Sequence, residues 1–196
     1  MLYVVDTETN GLPSYFYPRV KNFKDWPRLV SLAYKLEAEG ETSEVEELIV
    51  KPEGFEITQQ SSKIHGITQE AALRDGIPLK EALSRFFELI MKDEDPVLCA
   101  YNAEFDRGIL ASECYRNNLV EFGDFLTGTS VQWVCLMKRA QRALKRKPSE
   151  KYLKLQECVT IFKKAQEGPD FSFHTASGDV SAACFVLHGI MALENP

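Results

Sequence analysis

Tyr3-Val4-Val5-Asp6-Thr7-Glu8-Thr9-Asn10-Gly11-Leu12 is the stretch from which the rest of the chain can be read. Tyr3, Val4 and Val5 are apolar and suited to extended backbone. Side chains alternate between the two faces of a strand, so Asp6 and Glu8 leave the end of this one on the same side. Two acids held side by side repel each other, and a hard divalent cation with oxygen ligands relieves the repulsion. On this segment alone two readings stand open. It is either a metal site or an exposed strand end with two solvated carboxylates, and the rest of the chain has to choose.

The 196 residues fit one domain, 1–196, large enough for a sizeable core. Composition, at 44% hydrophobic and 27% charged, is that of an ordinary globular protein. A net charge of −6 argues against binding nucleic acid through bulk positive charge, but not against gripping it locally through metals and a short groove. The five cysteines are odd in number, scattered and without a C-x-x-C pair. They read as reduced thiols in a reducing, cytoplasmic compartment. No signal segment precedes the first strand, and the apolar run from Val180 to Leu193 is short for a membrane span, so no membrane partner is expected.

Outward from the opening strand, residues 13–27 form a loop that mixes Tyr15, Phe16, Tyr17, Phe23 and Trp26 with Arg19, Lys21 and Lys24. Such a loop either packs its aromatics on the domain or offers them to bases. Leu29–Leu36 and Val45–Val50 read as strands around an acidic turn at 37–44, giving an antiparallel meander with the first. Thr68 caps a short helix, and Leu79–Lys92 carries a helical apolar stripe. Pro96–Ala100 is a strand that runs into a helix from Glu104 to Asn118. Val131–Val134 is a fifth strand, and helices follow at 136–144, 153–164 and 178–193. Lys145-Arg146-Lys147-Pro148 is a basic break between two of them. The order is that of an α/β mixed sheet of five strands with helices packed on it.

Further acids stand at element ends. Asp106 lies in the first turn of the helix after the fourth strand, and Asp179 at the start of the last helix. His174 precedes Asp179 by five residues in a loop, and an imidazole is a side chain suited to take a proton from water. Hydrolysis of a phosphodiester calls for charge neutralisation and an activated water, which converging carboxylates and divalent ions supply. Each residue alone has a plainer reading: an Asp near a helix N-terminus is commonly a charge–dipole pairing.

Taken together, V-V-D-T-E-T-N-G-L at the N-terminus, K-I-H-G-I-T at 63–68, N-A-E-F-D at 102–106 and H-x-x-x-x-D at 174–179 resemble the motifs of the DEDDh, or DnaQ-like, 3′–5′ exonuclease family. The resemblance spans residues 3 to about 187 in the expected order. It implies a ribonuclease H-like fold, a five-stranded mixed sheet with the first three strands antiparallel. It implies that Asp6, Glu8, Asp106 and Asp179 bind two Mg²⁺ or Mn²⁺ ions and that His174 activates the attacking water. It further implies that Thr9, Asn10, Gly11 and Leu12 cradle the terminal nucleotide, with His65, Asn102 and Phe105 lining the same pocket.

The implied activity is release of nucleoside 5′-monophosphates from single-stranded 3′ ends. DNA is the favoured substrate; RNA trimming and a catalytically silent binding module are the alternatives. One departure stands out. Gln132-Trp133-Val134-Cys135-Leu136 carries no acid where proofreading members often have one, and the chain stops at Pro196 soon after the last helix. Stable association with a polymerase is therefore not expected. A homodimer is compatible with the resemblance, and the sequence does not choose between it and a monomer.

Overall fold

The computed structural model describes the chain apart from residues 17, 39, 40, 166, 195 and 196, and apart from the side chains of 38, 41 and 42. Strands β1 (Leu2–Thr9), β2 (Leu29–Ala38), β3 (Glu41–Thr42), β4 (Glu46–Ile49), β5 (Val97–Ala100) and β6 (Gln132–Cys135) form one sheet. Its order is β3-β2-β1-β5-β6, and β4 pairs with the other end of β2. Because β3 and β4 lie along the same strand, the sheet is five positions wide. β1, β2 and β4 are antiparallel in succession, while β5 and β6 run parallel to β1. This is the mixed sheet expected from the sequence.

β2 is buried on both faces from Leu29 through Tyr34, which explains why its sequence alternates only in part. On β1 the alternation separates two cores. Tyr3 and Val5 join α3 (Leu79–Ile90) and α4 (Ala103–Arg116) on one face. Val4 faces the other layer, built by α6 (Leu136–Ala143), α7 (Leu155–Phe162) and α8 (Ala176–Glu194). Asp6 and Glu8 continue the Val4 face, so they are aimed toward the layer that contains α8. The acids lie within β1, which runs on to Thr9, rather than beyond its end.

Helix α8 is long and apolar enough to cross a membrane by length and composition. The expected run from Val180 was shorter than the helix that forms. Its apolarity is accounted for by packing: Val180, Ala183, Val186, Leu187 and Ile190 are buried against β1, β2, α6 and α7.

Two helices were not expected from periodicity. α1 (Gln59–His65) has almost no apolar residues, and its ends hold it. Thr58 accepts from the Ser61 N–H at 3.1 Å, and Gly66 closes the helix at φ 78°. α5 (Val120–Thr127) is short and contains Gly123, which lets the helix approach the Tyr115 ring of α4. α2 (Gln69–Asp75) starts where the sequence places it, with Thr68 accepting from the Ala71 N–H.

The 13–27 loop is divided in its behaviour. Trp26 is buried against α4, whereas Tyr15 and Phe16 are exposed; Tyr17 lies outside the described residues. The loop is pinned where it enters β2. Glu113, fully buried on α4, pairs with Arg28 and Arg116 at 2.8 Å each and accepts from the Leu29 N–H. All five cysteines are unpaired thiols.

Candidate active site

Five polar side chains from three separate stretches of the sequence converge at the end of β1. Asp6 and Glu8 come from the strand, and Asp106 from the first turn of α4, which begins three residues after β5 ends. Asp179 comes from the first turn of α8, and His174 from the loop before it. All five line one cavity of about 210 Å³, together with Tyr101, Asn102 and Phe105.

Asp6, Glu8 and Asp179 each offer a carboxylate oxygen, and these oxygens lie within 4.8 Å of one another. Hard oxygen donors at this spacing fit a divalent cation such as Mg²⁺ or Mn²⁺. Asp106 adjoins the trio. One of its oxygens accepts from the Thr7 N–H at 3.0 Å and from the Thr7 hydroxyl at 2.8 Å. Thr7 points to the opposite face of β1 from Asp6, so Asp106 is anchored through the strand that carries the first two acids.

The electrostatics record the crowding. Burial pushes the Asp6 carboxyl well up, and Asp106, Asp179, Glu8 and Glu47 push it further. Burial raises Glu8 to about 8, with Asp179 the next cause. Burial raises Asp106 to about 7 against the pull of the two Thr7 hydrogen bonds. Asp179 is raised by burial as well. Carboxylates that hold protons this tightly are short of positive charge, the condition that a bound cation reverses.

His174 is exposed, and its backbone sits at φ 65°, a left-handed conformation uncommon for a residue with a side chain. Its N–H donates to Asp179 Oδ1 at 3.3 Å, and its ring Nε2 lies 3.3 Å from the Gln156 amide. The loop is held against α8 by Thr175. Its hydroxyl donates to the Ser172 carbonyl and accepts from the Gly178 N–H. A Cβ at Gly178 would stand 1.8 Å from the Ser172 carbonyl oxygen, so only glycine permits this approach.

Beside the acidic cavity lies a cleft of about 510 Å³. Thr9, Asn10, Gly11 and Leu12 line one side, His65 another, and Phe105 borders both spaces. Asn102 belongs to the acidic cavity and not to this cleft. The residues are not equivalent. Asn10 is committed to the framework: its Oδ1 accepts from the Arg28 N–H, and its amide donates to the Glu56 carbonyl. Thr9 donates to the Gly11 carbonyl at 2.7 Å, fixing the turn. Leu12 is 84% exposed, an unusual position for a leucine and a ready apolar wall. His65 is 3% exposed; Nδ1 accepts from the Ile67 N–H, and burial lowers its pKa, which keeps the ring neutral.

Glu47 escaped the sequence reading. Asp6 pairs with Ala33, and Ala33 pairs with Glu47, so the two acids flank a small buried alanine on one face of the sheet. Glu47 accepts from Ser31 at 2.9 Å and from Ser177 in the first turn of α8. It thereby ties β4 to the helix that carries Asp179. Gly178 was also missed. Its signal was its place immediately before Asp179, but its need arises from a contact with the loop.

Comparison with known proteins bears on this arrangement. A family model described as Exonuclease, RNase_T, matches residues 3–187. Exonuclease X in complex with 5′-overhanging duplex DNA is similar in structure, with a TM-score of 0.64 and 24% identity over 98% of this chain and 92% of that one. Zinc-bound E. coli exonuclease I with single-stranded DNA gives a TM-score of 0.71 at 20% identity, over 100% and 41% of the two chains. Exonuclease I from Methylocaldum szegediense gives 0.70 at 21%, over 100% and 41%. At these identities the likeness is one of fold, and the chain spans about two fifths of the exonuclease I chains. No curated protein matches the sequence.

Proposed function

The chain belongs to the RNase_T exonuclease family, and from that premise we propose that it is a metal-dependent 3′–5′ exonuclease releasing nucleoside 5′-monophosphates from single-stranded nucleic acid, DNA in preference to RNA. The observation that carries the reading is the single cavity gathering Asp6, Glu8, Asp106, His174 and Asp179 beside a cleft walled by Thr9 to Leu12. Residues 1–196 act in this reading as one exonuclease domain. The unpaired cysteines support a reducing, cytoplasmic setting.

Asp6, Glu8, Asp106 and Asp179 would hold two Mg²⁺ or Mn²⁺ ions, which when bound neutralise charge at the scissile phosphate and make water more acidic. Thr7 keeps Asp106 oriented through its two hydrogen bonds. His174 takes the proton of the attacking water as the new P–O bond forms and the P–O3′ bond breaks. The 3′ oxygen that leaves takes a proton from solvent water, so the products are a nucleoside 5′-monophosphate and a strand with a new 3′-hydroxyl. Leu12, Phe105 and the turn fixed by Thr9 and Asn10 hold the departing nucleotide, and the neutral ring of His65 closes the cleft. Tyr101, on the wall of the acidic cavity, is held by donating to the Leu153 carbonyl at 2.6 Å. The similar exonuclease structures hold single-stranded or overhanging DNA, which favours a DNA strand as the substrate here.

The test is a time course on single strands of one sequence, as DNA and as RNA, labelled at either end, with Mg²⁺ or Mn²⁺. The expected result is stepwise shortening from the 3′ end with mononucleotide products, faster on DNA, and none with Asp6→Ala. Shortening from the 5′ end, or equal persistence of substrate with both proteins, overturns the reading. Faster loss of the RNA strand makes it an exoribonuclease.

A further inference from the structure

Two more cavities lie on the far side of the first turn of α4 from the acidic cavity, and their lining is basic. One, of about 480 Å³, runs beside β6 and the start of α6 and is lined by Arg107, Lys138, Arg139 and Arg142. The other, of about 630 Å³, lies under the 13–27 loop and is lined by Arg19, Lys21 and the same Arg107. Both are bordered by Glu104, the one acid in either lining. The chain as a whole has 23 Lys and Arg against 29 Asp and Glu, so six cations to one acid is a reversal of its overall balance.

Part of this charge is already used inside the protein. Lys138 pairs with Glu104 at 2.6 Å, Arg139 with Glu194, and Lys21 with Asp124 at 3.4 Å. Among the described residues no ion pair joins Arg19, Arg107 or Arg142, although Arg142 stands close enough to Glu194 to lower its pKa. Arg107 is half-buried on α4, one turn after Glu104, at the junction of the two cavities. The next residue after Glu104 is Phe105, which borders both the acidic cavity and the nucleotide cleft. The basic surface and the acidic cavity therefore share the first turn of α4, with Glu104 and Arg107 on one side of it and Phe105 and Asp106 on the other.

We propose that this surface is a track for the backbone phosphates of the nucleic-acid strand behind its terminal nucleotides. Arg107 is its central contact and Arg142 the next along β6 and α6. The inference rests on the exonuclease reading. It adds to that reading a binding site that explains how an acidic protein holds a polyanion. Guanidinium groups match phosphate oxygens bidentately, and a chain of such contacts binds any sequence with strong dependence on salt. The internally paired Lys138 and Arg139 keep the wall in place, while Arg107 and Arg142 face the ligand.

The test measures fluorescence anisotropy of labelled single-stranded DNA of three and of fifteen nucleotides, in Ca²⁺, over a range of salt. Wild type is compared with Arg107→Gln, Arg142→Gln, the double variant, and Arg85→Gln, which removes an exposed cation on α3. The fifteen-mer is expected to lose about tenfold in affinity in each of the first two variants. Its plot of log K against log salt should become shallower by about 0.7 for each cation removed. The trimer should change less than twofold, and Arg85→Gln should change nothing. Circular dichroism melting establishes that Arg107→Gln folds; if it does not, Arg142→Gln alone decides.

A wild type that shortens DNA but whose variants keep both affinity and salt slope overturns the track and leaves the exonuclease reading intact. Equal losses on trimer and fifteen-mer also overturn it, because they place the arginines at the strand end. A wild type that neither binds nor shortens any strand overturns the exonuclease reading itself.

Discussion

The backbone N–H of His174 donates to Oδ1 of Asp179 at 3.3 Å, so the loop that carries the ring is tied to an acid of the cluster through its main chain. The ring is left to turn toward water or toward Gln156. The main chain thus fixes the position of the residue and leaves its ring available for the proposed proton transfer.

It follows that replacing the ring should remove proton transfer and spare the acids. His174→Asn tolerates the left-handed backbone and keeps the N–H. It is expected to lower turnover by roughly 10²–10⁴-fold, while Mn²⁺ affinity measured by calorimetry changes less than about threefold. A collapse of metal affinity would make His174 a ligand.

Thr7→Val keeps the N–H bond to Asp106 and deletes the hydroxyl bond of 2.8 Å. Those bonds hold the Asp106 pKa down, and it stands at about 7 with them in place. Without the hydroxyl it rises further, because a hydrogen bond that favours the charged form is lost. Protons then compete with the cation near neutral pH. Mn²⁺ affinity by calorimetry should fall by about tenfold at pH 7 and recover in alkaline buffer; equal loss at every pH would point to a displaced Asp106 instead.

The crowded acids also set how stability varies with pH in metal-free protein. Glu8 is raised from its ordinary 4.5 to about 8. Between these values the folded chain binds more protons than the unfolded one, so stability is full below 4.5 and is lost as pH rises through about 8. Asp6, Asp106 and Asp179 act in the same direction. Metal-free protein should melt at a Tm lower by on the order of 5 °C at the alkaline end. Saturating Mn²⁺ should raise Tm and flatten the profile. A metal-free Tm that climbs with pH would contradict the assigned environments.

Gly178→Ala places a Cβ 1.8 Å from the Ser172 carbonyl oxygen. The helix is buried against the sheet and the loop is partly exposed, so the loop is the part that moves. kcat is expected to fall by about 10²-fold, as a small misplacement of a reacting group does, with Tm lowered by only a few degrees. Equal activity would show that His174 does not depend on this packing.

Much of this molecule is legible in one dimension. The strand Tyr3–Val5 with Asp6 and Glu8 on one face, the acids at helix starts, and the Thr68 cap follow from periodicity and capping chemistry, which act within a few residues. The short helices α1 and α5 are not legible, because their hold comes from Thr58, Gly66 and the Tyr115 ring rather than from an apolar stripe. Nor is the part of Asn10 in the framework, where its amide is bonded to Arg28 and Glu56 while the residue still lines the cleft.

The sequence by itself determined which groups the proposed chemistry draws on: their acid and base character, their order and the elements that bear them are local properties. Tertiary structure decided how near they come and what surrounds them. The pairing of Asp6 with Ala33 and of Ala33 with Glu47 depends on strand register. The anchoring of Asp106 by Thr7 joins residues 99 positions apart. The basic surface around Arg107 gathers cations from the loop, α4 and α6. Register and packing are collective outcomes of the whole core, since a slip of one residue along β1 would turn Asp6 to the other face.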